Sequence, residues 1–426
     1  MPATYEPGRG ASAHHAAENV RWLADLVADS ADPPTDLVAG RFVDAFLARH
    51  DHDVAGLLRE WRRGGPFEVV GVSAALHKGW ATLEQEDGQR RVLALTVDTT
   101  GKIRRVVVED DSDERSHRGF ADIDAALDAV APVESTAFVA RRGSEGWVPL
   151  YTREAQRPMP GGSVFKVFVL LALVWAVEDG TARWSDELVT GVETRSLPTG
   201  EMQDLPDGTR ASVAQVAYNM YARSDNTASD LLIRYLGRPA VETAVARAGH
   251  ARPELLRPFV TTRELFDIGW GHSGPSADPD TLDVWAAGSE AARRALLDAH
   301  EHPIDVAVGD LTRTAHPQGL DWWMSAADVA AALGLLWDAG SRATDGPLAE
   351  ILRANPGLDI DRGAWPRSTF KGGSSPGAVM FAWLVESPDG EQFAVVLQQR
   401  CAVVGVLRDG LPLRRLGDAI LHGLLS

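Results

Sequence analysis

Four lysines, Lys78, Lys102, Lys166 and Lys371, stand among 42 basic residues, and all the rest are arginines. Arginine stays protonated at any accessible pH, whereas a desolvated lysine amine sheds its proton and acts as a base. Two of the four lie beside hydroxyl nucleophiles. Lys166 closes Ser163-Val164-Phe165-Lys166, Lys371 opens Lys371-Gly372-Gly373-Ser374, and Ser224-Asp225-Asn226 stands between them. Residues three apart share a helical face, so the Lys166 amine is expected to reach the Ser163 hydroxyl and take its proton if burial lowers its pKa. At the first turn of the same helix, Ser163 has the positive end of the helix dipole beside it, which favours developing negative charge. These are the parts of an acyl-transfer nucleophile and its base.

Such groups need a scaffold, and the flanking sequence supplies one. Pro158, Pro160, Gly161 and Gly162 break the chain just before Ser163, and Val164 to Val177 then reads as a helix apolar nearly all round, which is normally buried between layers. Ser135 to Ala140 and Trp147 to Tyr151 read as strands, as do Ala378 to Val385 and Phe393 to Gln399 around Pro388-Asp389-Gly390. Helices are expected through Leu236, around Ala326 to Trp337, and from Arg414 to Leu425. Strands at both ends with helices between them predict an antiparallel sheet covered by helices.

Upstream, helical patterns near residues 18 to 62 precede short strands at Phe67 to Val72, Trp80 to Leu83 and Val92 to Val97. A turn at Asp98 to Gly101 leads to Ile103 to Val108. The fold class is therefore α+β, with a small α+β cone ahead of a larger helix-covered sheet. Residues 1–17 are expected to be disordered, 18–115 to form the first domain, 116–133 to be a linker, and 134–426 to form the second domain.

The net charge of −18 argues against nucleic acid or an anionic membrane surface as partner, since both need a basic face. The single cysteine, Cys401, excludes an internal disulfide and reads as a small buried residue. No metal site or cofactor is expected, because His300 and His302 flank Glu301 without helical ligand spacing. The first 19 residues carry charges and lack an apolar core, so they do not read as a secretory signal. The longest apolar stretch, 11 residues from Val167 to Val177, is about half a membrane span. The expected location is the cytoplasm.

The order Ser-x-x-Lys, Ser-Asp-Asn, Lys-x-Gly resembles that of the class A β-lactamase and penicillin-binding-protein superfamily. The resemblance covers residues from about 134 to 426 and implies a three-layer α/β/α domain. The two-part layout, with Phe370-Lys371-Gly372-Gly373-Ser374 and Thr261-Thr262-Arg263-Glu264, resembles the subgroup that has a steroid-isomerase-like (NTF2/cystatin-like) N-terminal domain and a link to clavulanic acid biosynthesis. It implies that Ser163 is the nucleophile and Lys166 the base. Ser224 would relay the proton to the leaving group while Lys371 holds it by charge. The backbone N–H groups of Ser163 and Ser374 would form an oxyanion hole, with Asn226, Gly373 and Ser374 facing the substrate. Asn226 is alternatively the cap of the helix beginning near Thr227.

One departure bears on turnover. Where the family has Glu-Pro-Glu-Leu-Asn, this chain reads Arg252-Pro253-Glu254-Leu255-Leu256, so the deacylating glutamate is missing at this register and Glu254 is expected to point outward. The expected activity is that of a serine hydrolase acting on esters or β-lactam- or clavam-like small molecules and weak as a β-lactamase. A competent β-lactamase, a D,D-peptidase and a non-hydrolytic β-lactam- or clavam-binding protein are the alternatives. Lys78, in Leu76-His77-Lys78-Gly79-Trp80, is expected to contact a substrate anion, so that Lys78→Ala raises KM with little change in kcat.

Overall fold

The computed structural model describes residues 11–425 except 30–33, 76–77, 99, 112–122, 130–132, 198, 272–280, 300–305, 359 and 408–409. The chain divides near residue 117 into two compact units. The first contains α1 (Ala11–Ala28), α2 (Thr35–Ala39), α3 (Asp44–Arg49) and α4 (Val54–Trp61). An antiparallel meander of β1 (Glu68–Ala75), β2 (Lys78–Glu84), β3 (Arg90–Val97) and β4 (Ile103–Asp111) follows. Ala16, Val20, Leu23, Ala24 and Val27 recur at helical spacing and share one core with Ala81, Leu83, Leu93 and Leu95, the alternate positions of β2 and β3. Gly79 lets α1 close on the sheet, since a Cβ there would lie 2.6 Å from Val20 Cβ. In the β3–β4 turn, Asp98 Oδ1 accepts from the backbone N–H groups of Thr100 and Lys102, each at 2.9 Å.

Helix α1 corrects the expectation of a disordered stretch to residue 17. It starts at Ala11, and Ala16 is wholly buried. Alanines and histidines carry too little apolar contrast to announce a helix, and only packing on the meander reveals it.

The second unit opens with α5 (Ile123–Asp128), inside the segment read as linker. Ile123 and Leu127 are buried with the last helix, although the charged run ahead of them hides this short amphipathic turn. The sheet has the order β11-β12-β13-β5-β6, all antiparallel, built from β5 (Glu134–Gly143), β6 (Gly146–Arg153), β11 (Arg367–Ser375), β12 (Ala378–Glu386) and β13 (Gln392–Arg400). Short pairs join β7 (Met159–Pro160) to β10 (Trp323–Met324) and β8 (Glu187–Val189) to β9 (Arg210–Ser212).

Between β7 and β11 the chain is mainly helical: α6 (Lys166–Glu178), α7 (Val213–Ala222), α8 (Asn226–Leu236), α9 (Arg238–Arg247), α10 (Thr262–Trp270), α11 (Thr281–Ala287), α12 (Glu290–Ala299), α13 (Ala326–Arg342) and α14 (Pro347–Arg353). Helix α15 (Leu411–Gly423) ends the fold. Both central strands are buried almost throughout, as a sheet covered on two faces requires. Val379, Phe381, Trp383 and Val385 take one face and pack with Leu413, Leu416 and Ile420 of α15. Helix α13 lies on the other face, α6 packs against α13, and α6 buries every residue from Lys166 to Val174.

Cys401 is buried and free. No group of His, Cys, Asp and Glu side chains among the described residues could hold a metal ion, and His300 and His302 lie outside them. No helix among the described residues is long and apolar enough to cross a membrane.

Candidate active site

Ser163 sits in a single 3-10 turn, Gly162–Phe165, and α6 starts at Lys166. The turn is pressed against the edge strand β11. A Cβ on Gly373 would fall 2.6 Å from Ser163 N, and one on Gly162, at φ +47°, would fall 2.7 Å from Ser374 N. Both glycines are required by backbone approach. The structure thus brings the two expected oxyanion donors, Ser163 N and Ser374 N, to adjacent strands of chain.

Lys166 is fully buried. Its amine donates to Ser224 O at 2.6 Å and to Asn226 Oδ1 at 2.7 Å, with Ser224 Oγ at 3.5 Å. Burial lowers its pKa to about 7, against the opposing pull of the Asp225 and Asp230 carboxylates. A neutral amine has two N–H groups and one lone pair. Two short bonds to oxygens that can only accept use the two N–H groups and leave the lone pair to take a proton. The amine's short hydrogen bonds point to the α7–α8 corner, and none among the described residues joins it to the Ser163 hydroxyl.

That corner is made by Ser224, held in the left-handed region at φ +60°, which is costly for a serine. Its hydroxyl accepts from Lys371 Nζ at 2.9 Å, and its carbonyl also accepts from Thr199 Oγ1 at 2.6 Å. Lys371 is 2 % exposed and donates as well to Gly372 O at 2.6 Å. Ser224 therefore stands between two buried amines, one from the helical wall and one from the sheet edge.

Asn226 is not the helix cap. Asp225 is, its Oδ1 accepting from Ala228 N at 2.8 Å while Oδ2 accepts from Glu201 N and Met202 N. Asn226 is the first residue of α8, and its side chain runs from Lys166 to Leu197 O, at 3.0 Å through Nδ2. Its role in the structure is to fix the lysine. Ser374 is exposed on β11, with its side chain available to a ligand. Lys78 begins β2 in the first unit, half-buried.

Several residues of the site were not legible in the sequence. Asp230, fully buried, accepts from the backbone N–H groups of Thr262 at 2.8 Å and Arg263 at 2.9 Å, so it anchors the start of α10. Asp321 accepts from Gly162 N, directly before Ser163. No motif marks either residue. Arg252 and Glu254, the pair standing where the family's carboxylate is expected, are exposed and ion-paired with each other. The hydrogen bond from Arg252 holds the Glu254 carboxyl below its usual range, so it is a poor base as well as an outward-facing one.

The β-lactamase enzyme family model matches residues 133–397, well over half of the chain. The chain belongs to the β-lactamase enzyme family. A second model, the N-terminal part of the ORF 12 gene product, matches residues 11–103. No curated protein sequence matches. Among solved structures, a β-lactamase from Sphaerobacter thermophilus DSM 20745 is similar at 19% identity and TM-score 0.49, covering 71% of this chain and 94% of that one. PBP-A is similar at 14% identity and TM-score 0.46, covering 72% and 97%. An ancestral class A β-lactamase is similar at 20% identity and TM-score 0.47, covering 70% and 97%. As a β-lactamase-family member the chain has that family's mixed helical and antiparallel-sheet fold.

Proposed function

We propose that this β-lactamase-family protein is a serine hydrolase acylated at Ser163, acting on esters or β-lactam- or clavam-like small molecules and turning over β-lactams slowly. The observation that carries the reading is Lys166: a fully buried amine with a pKa brought to about 7 and bonded to Ser224 O and Asn226 Oδ1, at the start of α6 and three residues after the serine of the 3-10 turn that leads into it. In the reaction, Ser163 Oγ attacks the carbonyl carbon and its proton passes to Lys166 Nζ. The carbonyl oxygen takes up the negative charge beside Ser163 N and Ser374 N, where each donor is worth about 3 kcal/mol to the transition state. The tetrahedral intermediate expels the alkoxide or amide nitrogen, which receives the proton held by Lys166 through the Ser224 hydroxyl, itself held by Lys371. Water then cleaves the Ser163 ester.

For that last step Glu254, the carboxylate nearest in sequence to the expected register, is paired with Arg252 and exposed, so it is not the base. A penicillin acyl-enzyme therefore outlives an acetyl-enzyme, whose small acyl group leaves water more room to reach the ester carbonyl. A place in β-lactam or clavam metabolism and a steroid-isomerase-like first unit are part of this proposal and rest on the resemblance of the two-part layout and its motifs.

The test is intact-mass spectrometry after exposure to benzylpenicillin or a fluorophosphonate. One adduct is expected on the peptide containing Ser163 and none on Ser163→Ala, with the penicillin adduct persisting while short-chain esters turn over. Labelling that survives in Ser163→Ala ends the proposal, and rapid penicillin turnover without a detectable adduct ends its slow-deacylation part.

A further inference from the structure

The oxyanion hole proposed above is assembled from two pieces of chain, the turn at Gly162–Ser163 and the end of strand β11 at Ser374. No covalent link joins them, and β11 is an edge strand paired on one side only. A displacement of either piece by a few tenths of an ångström would separate donors that must converge on one oxygen. Asp321 lies between them. Its Oδ1 accepts from Gly162 N at 3.1 Å, and its Oδ2 accepts from Ser375 Oγ at 2.5 Å. Gly162 precedes the nucleophile, and Ser375 follows the second donor.

The carboxylate itself is fixed. Asp321 is 7 % exposed, and Oδ1 also accepts from Trp322 N at 2.7 Å. The Trp322 ring stacks on Phe165 with centroids 4.0 Å apart, inside the nucleophile's own turn, and its Nε1 donates to Val260 O at 3.0 Å. Behind Asp321, His316 is buried with Nε2 3.2 Å from Cys401 O. Residue 321 is thus seated in the core, with both carboxylate oxygens turned to the two halves of the hole.

We propose that Asp321 is a positioning residue that tethers the nucleophile turn to the end of β11 and so keeps the two oxyanion donors at their catalytic separation. The proposal rests on acylation at Ser163. A buried carboxylate kept only for packing would be as well replaced by any residue of its volume, whereas a tether needs a polar group that spans both sides.

The discriminating measurement separates the rate constant of acylation from the fraction of protein that can be acylated. Wild type, Asp321→Ala, Asp321→Asn, Ser375→Ala and Asp321→Ala/Ser375→Ala are mixed with benzylpenicillin, and adduct formation is followed by intact-mass spectrometry. Asp321→Ala is expected to lower the first-order rate constant about 10²-fold with little change in the concentration that half-saturates it. Asp321→Asn still accepts from Gly162 through Oδ1 and donates to Ser375 Oγ through Nδ2, so it is expected to restore the rate to within about threefold of wild type. Ser375→Ala cuts one arm and should cost about tenfold, adding nothing on top of Asp321→Ala. The inference is overturned if Asp321→Ala lowers only the labelled fraction while that fraction reacts at the wild-type rate. It is equally overturned if Asp321→Asn is as slow as Asp321→Ala, or if the two single losses multiply. Should Asp321→Ala not fold, the Asn and Ser375 variants still decide it. Wild-type protein that forms no adduct defeats the reading of Ser163 instead.

Discussion

Lys166 and Ser224 show how much of a site a residue's type can announce and how much it cannot. A lysine in a chain that otherwise writes arginine, three residues after a serine and inside an apolar helix, already points to a neutral amine. Its burial and lowered pKa follow from the same apolar surroundings that the sequence displays. Because the amine must be unprotonated to accept a proton, acylation is expected to rise about tenfold per pH unit below about pH 7 and to level off above it, in a pH–rate profile of adduct formation. Lys166→Arg keeps the charge and should be as inactive as Lys166→Ala. A profile flat from pH 5 to 9 would place the base elsewhere. Ser224 carries a second expectation, because its φ of +60° strains any side chain. Both Ser224→Gly and Ser224→Ala lose the hydroxyl, yet the glycine variant should be the more stable by about 1–2 kcal/mol in chemical denaturation, reversing the usual helical preference. Equal stabilities would mean that the corner relaxes out of that conformation.

At the level of elements, the strands and the long apolar helix were readable because period-2 and all-apolar patterns survive without tertiary information. The supports between elements were not. Asp225, Asp230 and Asp321 are written with the same letter as any solvated aspartate, and what makes them structural is a set of donors from distant segments, such as Thr262 N and Arg263 N for Asp230. Burial disfavours the Asp230 charge and lifts its pKa to about 7, while those donors pull it back. Asp230→Ala would leave the backbone N–H groups of Thr262 and Arg263 without their acceptor, while the Thr262 hydroxyl keeps Ser196 Oγ at 2.7 Å. A loss of about 2–4 kcal/mol is expected in denaturant unfolding, with α10 exchanging its first amides faster. Unchanged exchange at Thr262 and Arg263 would show that α10 needs no anchor from α8.

For the whole chain, the sequence reading puts a linker at 116–133, whereas the two compact units divide near residue 117 and the second takes in part of that segment. The sequence places the start of the second part at Glu134, the first strand, whereas the second core also takes Ile123 and Leu127 from α5. Leu127 O further accepts from Ser135 Oγ at 3.2 Å and from Gln399 Nε2 at 3.4 Å. A fragment beginning at residue 118 should therefore be more stable than one beginning at residue 134. Two fully buried aliphatic side chains are worth roughly 2–5 kcal/mol each, read as a higher urea midpoint. Equal midpoints would reduce α5 to a passenger on the surface.

The four lysines also divide by accessibility. Lys166 and Lys371 are at most 2 % exposed in the second unit, whereas Lys102 is exposed and Lys78 half-buried in the first. Activated esters and other amine-selective reagents will therefore find their side-chain targets in the first unit alone. A bead or sensor chip coated with such a reagent takes hold of the protein there, and the lysines that surround Ser224 need no protecting group.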